Sequence, residues 1–292
     1  PGGEGHERGR AVPGGIQRLR KLIKDEFRAS ARVMLPLYLV TIVLALLTRG
    51  ASLWLELATA DMTMGESILG FLAGLVAVAF VLALLATFIV AVVLAVFRFR
   101  KNLLTDEGYV MFTLPVSPHS LVCSKLIVST VWFLGAVVID VVALVSLVAD
   151  VAMFQEMGRM FREVFDNLTA YYLGNGVLFL VELVILFLVG CAYTCLSFYT
   201  PLAIGHSFAQ HKMLLSVAFF FAIEVVVQII SGIALIAGLP ALDNLFFWAN
   251  TNLSPAGAIH GFMWGCIGYT AVFTVVLYCL TIRMLHRHLN LE

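Results

Sequence analysis

Three carboxylates, Asp140, Glu182 and Glu224, stand inside long apolar runs, where an ionisable side chain is costly unless it faces a cavity or a partner. Asp140 falls about midway along one run, Glu182 in the outer part of the next, and Glu224 about midway along the one after. Such acids line a polar route for a substrate or relay protons; alternatively each is protonated and hydrogen-bonded to a neighbouring helix. No basic residue lies deep in any run to pair with them, and the halves of the chain do not clearly repeat, as inverted-repeat carriers do.

Other candidate chemistry is sparse. Cys191 and Cys195 share a helix face at i and i+4, a spacing that suits a soft metal, but no His or carboxylate accompanies them at a ligand spacing. No metal site is expected, and all five cysteines, Cys123, Cys191, Cys195, Cys266 and Cys279, read as small buried residues without a disulfide. Gly205-His206-Ser207-Phe208-Ala209 is one residue short of a nucleophile elbow and has no preceding strand. His119, His206, His211 and His260 are scattered over loops and helix ends and read as interfacial polar residues. None of the five lysines precedes Ser or Thr, so the chain has no phosphate-cradling loop ending in Lys-Ser or Lys-Thr. The expectation is a chain without catalytic residues or cofactor of its own.

The elements that must position these residues follow from composition. Hydrophobic residues are 61% of 292, charged residues 12%, and the mean hydropathy is +1.00, against about 25% charged residues in soluble domains. Apolar spans are expected near residues 33–49, 68–97, 121–151, 173–200, 213–238 and 258–282; crossing a hydrocarbon core takes roughly 20 helical residues. Continuous, non-alternating runs exclude a β-barrel. The fold class is therefore an all-α membrane protein with six transmembrane helices. Gly70-x-x-x-Gly74 and Gly261-x-x-x-Gly265 are expected to be helix packing sites.

Six spans place both termini on one side, and fifteen of the eighteen Lys and Arg residues fall on that side, leaving Arg49, Arg159 and Arg162 opposite. Positive charge is retained in the cytoplasm, so both termini are expected there, in a multi-pass protein of the cell (plasma) membrane. Residues 1–15, rich in Gly and Pro, are expected to be a flexible leader or a remnant of expression. In 16–32, Ile16, Leu19, Leu22, Ile23 and Phe27 recur at helical spacing among Arg18, Arg20, Lys21, Lys24, Arg28 and Arg32. That pattern predicts an amphipathic helix on the cytoplasmic membrane face, either a topological anchor drawn to anionic lipid or a docking surface for a cytosolic partner. Residues 33–292 form the six-helix domain.

Between the second and third spans runs Phe97-Arg-Phe-Arg-Lys-Asn-Leu-Leu-Thr-Asp-Glu-Gly-Tyr-Val-Met-Phe-Thr-Leu-Pro-Val-Ser-Pro118. Thr105, Asp106 and Glu107 suit a helix start, Gly108 allows a tight turn, and Pro115 and Pro118 stop a helix, so a short ordered surface helix is expected. On the far side, Phe154, Met157, Phe161, Phe165 and Leu168 predict a second amphipathic helix. Pro240–Pro255, with Leu245-Phe246-Phe247-Trp248, predicts a short re-entrant or interfacial piece with an aromatic anchor.

The loop resembles that of bacterial ATP-binding-cassette permeases of the second exporter class. Asn102-Leu103-Leu104-Thr105-Asp106-Glu107-Gly108-Tyr109, then Phe112-Thr113-Leu114-Pro115-Val116-Ser117, then Ser124-Lys125-Leu126, follow that family's pattern almost without a break. Lys21-Leu-Ile-Lys-Asp-Glu-Phe27 and Leu289-Asn290-Leu291-Glu292 also resemble it. The resemblance implies a permease subunit whose cytoplasmic elements contact a separate ATPase, which would hold the ATP and Mg. It assigns coupling to a short helix at Thr105, Asp106, Glu107, Gly108, Tyr109 and Phe112, with the basic helix as a second contact. It also implies a second permease copy or a sister permease, a membrane-lipid environment, no nucleic-acid partner, and efflux of an amphipathic peptide, drug or lipid. A proton-coupled carrier using Asp140, Glu182 and Glu224, or a non-transporting scaffold or sensor, are the rival readings.

Overall fold

The computed structural model describes residues 15–57, 64–105, 117–147, 176–208, 210–252 and 255–287, together with 155–156, 158–160, 162–163 and 166. Six long helices carry the chain: α1 Gly15–Leu57, α2 Met64–Leu103, α3 Pro118–Leu147, α4 Gly176–Gly205, α5 Lys212–Asn252 and α6 Pro255–Arg287. Each contains a stretch long and apolar enough to cross a membrane. Helix is the only state open to such uninterrupted runs, because no water in the bilayer satisfies a free N–H or C=O.

The ends have local causes. α2 closes with Arg100 and Lys101 in its last turn, where cations complement the negative end of the helix dipole. α3 opens on Pro118 at its first helical position, and Ser117 Oγ accepts from Ser120 N at 3.3 Å, a serine cap followed by proline. Between α4 and α5, Gly205 is so close to Ser216 that a Cβ would lie 2.5 Å from the Ser216 backbone nitrogen. His211, just before α5, takes a φ of 55° and accepts Leu215 N–H at 3.0 Å.

α1 packs on α2 and α3, and α4 packs on α5 and α6; α2 and α3 join these two groups through α4, and α3 also touches α6. The main core lies at one end, where Met34, Phe99, Leu103, Leu121, Val122, Phe133, Leu196, Tyr199 and Leu285 are buried together. This end gathers the start of α1, the end of α2, the start of α3 and the ends of α4 and α6, and is called the base below. A smaller cluster, Ala45, Phe80 and Ala143, lies toward the other end. Since lipid tails are as apolar as Leu, the helices are held by close packing and interhelical hydrogen bonds. Phe99 stacks on Tyr199 with ring centroids 4.0 Å apart, and Tyr38 donates to Trp132 O at 2.6 Å.

Several expectations are revised. The boundary at residue 32 is not a break: the basic segment runs without interruption into the first span as one helix of 43 residues. Its apolar face is also not left wholly to lipid, since Leu22 and Ile23 pack against the core and Phe27 stacks on Trp132 at 4.7 Å. Residues 240–252, expected to be a separate interfacial piece, continue α5 as helix. The two small-residue motifs do little packing among the described residues: a Cβ on Gly70 would touch only Leu55 there, and those on Gly74, Gly261 and Gly265 would meet nothing within 4 Å. Among the outer amphipathic residues, Gln155, Glu156, Gly158, Arg159, Met160, Arg162, Glu163 and Asp166 are helical and exposed, and Arg159 pairs with Glu156. The apolar stripe predicted there lies outside the described residues.

Candidate functional site

Asp106, Glu107, Gly108, Tyr109 and Phe112, to which the resemblance assigns coupling, lie outside the described residues. Thr105 is described, and its hydroxyl donates to Lys101 O, continuing the last turn of α2. What can be built is the pair of stems that carry this loop, the end of α2 and the start of α3.

Both stems converge on Glu26 of α1. Its Oε1 accepts from Lys125 Nζ at 2.6 Å and from Asn102 Nδ2 at 2.7 Å, and its Oε2 accepts from Arg98 Nε at 2.8 Å. Lys125 Nζ donates also to Arg98 O at 3.3 Å, tying the two stems directly to each other. The side chains of Lys125 and Glu26 are 4% and 9% exposed, so this is a buried pair and weakly screened by solvent. Isolated in an apolar bundle either charge would be untenable; together, with every contact charge-assisted, they hold. A cavity of about 10 Å³ adjoins the cluster, lined in part by Ser30, Ser129 and Tyr199, comparable to about one water molecule. By formal charge one carboxylate faces two cations.

This clamp joins three helices, α1, α2 and α3, at one carboxylate. Trp132 extends the linkage along α3, stacking with Phe27 and accepting Tyr38 Oη on its carbonyl, both from α1. Gly135 makes that approach possible, since a Cβ there would lie 3.0 Å from Tyr38 Oη.

The three intramembrane acids are not brought together. Asp140 accepts from Thr87 Oγ1 of α2 at 2.8 Å through Oδ2, and its Oδ1 is buried without a hydrogen-bond partner among the described residues. Glu182, fully buried in α4, contacts His260 Nδ1 of α6 at 2.7 Å through Oε2, while Oε1 has no partner among the described residues. Glu224 is half-buried on α5. No hydrogen bond or ion pair among the described residues joins any two of these acids.

Sequence reasoning passed over Glu26, Arg98, Asn102 and Lys125 as a group, and read His260 as interfacial although it is largely buried against Glu182. The available signals were Lys125 inside an otherwise apolar run and Glu182 inside another; each demanded a partner that only the fold could name. At the α4–α5 turn, Ser207 donates to Ala203 O at 3.1 Å and His206 is buried with Nδ1 2.9 Å from Leu202 O. Burial lowers the His206 pKa, Arg100 and Lys212 lower it further, and the Leu202 carbonyl opposes them. Comparison of the chain with protein-family models, curated proteins and solved structures gives no match.

Proposed function

We propose that the chain is the membrane-spanning permease subunit of an ATP-driven exporter, coupling hydrolysis by a separate cytosolic ATPase to efflux of an amphipathic peptide, drug or lipid. The observation that carries this reading is the Glu26 clamp, which binds both stems of the loop to the basic segment of α1. The loop's own sequence, Asn102 to Ser117, carries the longest stretch of resemblance to the permease family. A loop that merely connects two spans has no need of a buried charge network at its root, whereas a lever must transmit force without deforming. In this reading Thr105, Asp106, Glu107, Gly108, Tyr109 and Phe112 contact the ATPase, which holds ATP and Mg. Nucleotide-driven closure of paired ATPases then tilts α1, α2 and α3 as a unit. The transport path lies between two permeases, either copies of this chain or this chain and a sister, in the plasma membrane with both termini cytoplasmic.

The test is co-expression with ATPase subunits from the same genome, followed by purification on a tag carried by this chain. Co-purification of an ATPase, reduced by Asp106→Ala and Glu107→Ala, is the expected result. A chain that retains no ATPase from any such subunit would defeat the proposal.

A second reading rests on the buried Glu182–His260 contact, a carboxylate and an imidazole of the kind that relays protons. In that case transport would follow the proton gradient and survive loss of every ATPase. Dissipating the gradient with an ionophore while ATP is held constant separates the two readings: efflux persists in the exporter and stops in the carrier.

A further inference from the structure

A groove of about 370 Å³ opens at the base between the start of α3 and the end of α6, lined by His119, Tyr278, Cys279, Ile282, Arg283 and His286. Arg283, His119 and His286 are all exposed, so three nitrogen-bearing side chains surround one recess that no carboxylate lines among the described residues. Arg283 forms no ion pair among the described residues. The two walls are locked together: His119 Nδ1 and Tyr278 Oη lie 3.0 Å apart, and Cys123 Sγ is 3.5 Å from the same hydroxyl. The positive end of α3 points to this level as well.

Both helices that wall the recess carry exposed apolar residues along their length. On α6, Val272, Val276, Cys279 and Arg283 follow one another at intervals of four, three and four, on a single helix face. Val272 and Val276 are 62% and 50% exposed. On α3, Ile127, Val131, Leu134 and Val138 form an exposed stripe that starts two turns beyond His119. A polar pocket at helix-end depth, followed by apolar tracks running along the span, has the shape of a phospholipid.

We propose that this groove binds the phosphate of an anionic phospholipid from the leaflet on the side of the chain termini. Arg283 supplies a charge-assisted pair to the phosphate, His119 and His286 donate ring N–H groups, and one acyl chain follows the stripe from Cys279 to Val272. A free phosphate would use the same donors but leave the apolar tracks without purpose. The inference needs only that the helices span a membrane and is independent of the ATPase reading. Basic residues in the last turns of α6 also complement its dipole, but that role requires neither His119 nor a groove.

The test is native mass spectrometry of the full chain released from micelles containing phosphatidylglycerol or phosphatidylcholine. Wild type is expected to retain the anionic lipid over the zwitterionic one by about fivefold, the factor one basic side chain at a membrane surface supplies. Arg283→Gln removes that preference, His119→Asn weakens it, and Arg162→Gln at the opposite end leaves it unchanged. Inorganic phosphate in excess does not displace the lipid. Equal retention of the two lipids, or a preference that survives Arg283→Gln in a chain with an unchanged melting temperature, would overturn the proposal. Displacement by phosphate would also overturn it, assigning the groove to the free anion.

Discussion

Glu26 and Lys125, ninety-nine residues apart in the chain, meet at 2.6 Å with both side chains almost fully buried. One belongs to the segment that a sequence reader takes for a surface helix, the other to the first turns of a membrane span. Their contact joins the N-terminal segment to the root of the loop.

Removing the carboxylate leaves the buried Lys125 ammonium and the partly exposed Arg98 guanidinium facing each other without a counter-charge between them. Glu26→Gln is therefore expected to cost about 3–5 kcal/mol, the usual penalty for breaking a buried pair from one side. Combining it with Lys125→Met removes one of the stranded charges and restores part of the loss. Thermal unfolding of the three purified variants in one detergent measures both effects, and a double variant no more stable than the single would contradict the geometry described.

The glycines divide into two classes that behave oppositely. Gly205→Ala forces a methyl into the Ser216 backbone and is expected to destabilise by about 3 kcal/mol, because backbone cannot step aside. Gly74→Ala and Gly265→Ala meet no neighbour among the described residues and are expected to be neutral or to gain up to about 1 kcal/mol from helix propensity. Melting temperatures of the monomeric chain check this. If Gly265→Ala instead disrupts self-association, the open face belongs to a second subunit.

Acid sensitivity is expected to arise partly at the α4–α5 turn. His206 has its pKa lowered in the folded chain, mainly by burial and then by Arg100 and Lys212, below the value of about 6.5 that it regains on unfolding. A base held below its unfolded value contributes no penalty above that pH, and stability is lost as pH falls from about 6.5 toward the folded pKa. The melting temperature should drop between about pH 7.5 and 5.5 more steeply in wild type than in His206→Gln. Parallel slopes would place the acid sensitivity elsewhere.

How much of this was legible beforehand depends on range. The spans were legible because hydropathy is local: Ile68 to Phe97 contains no charge, and a helix follows from that alone. The ends were less so. The interleaved cations of 16–32 read as a separate surface helix, yet nothing in them breaks a helix, and α1 runs through. The clamp was invisible because Glu26 looks like one more polar-face residue; its partners stand 72, 76 and 99 residues away, beyond any periodicity. The partner of His260 was hidden for the same reason, Glu182 lying 78 residues distant. Small-residue spacing is limited in the other direction, since Gly261 and Gly265 permit close contact but meet no neighbour among the described residues.

The most direct test of the exporter reading is ATP hydrolysis by a partner ATPase reconstituted with this chain in nanodiscs, compared between wild type and the Asp106→Ala/Glu107→Ala double variant. The account predicts that wild type stimulates hydrolysis and that the double variant abolishes the stimulation while its melting temperature stays unchanged. A partner ATPase that neither binds the chain nor changes its rate in the presence of wild type would contradict it.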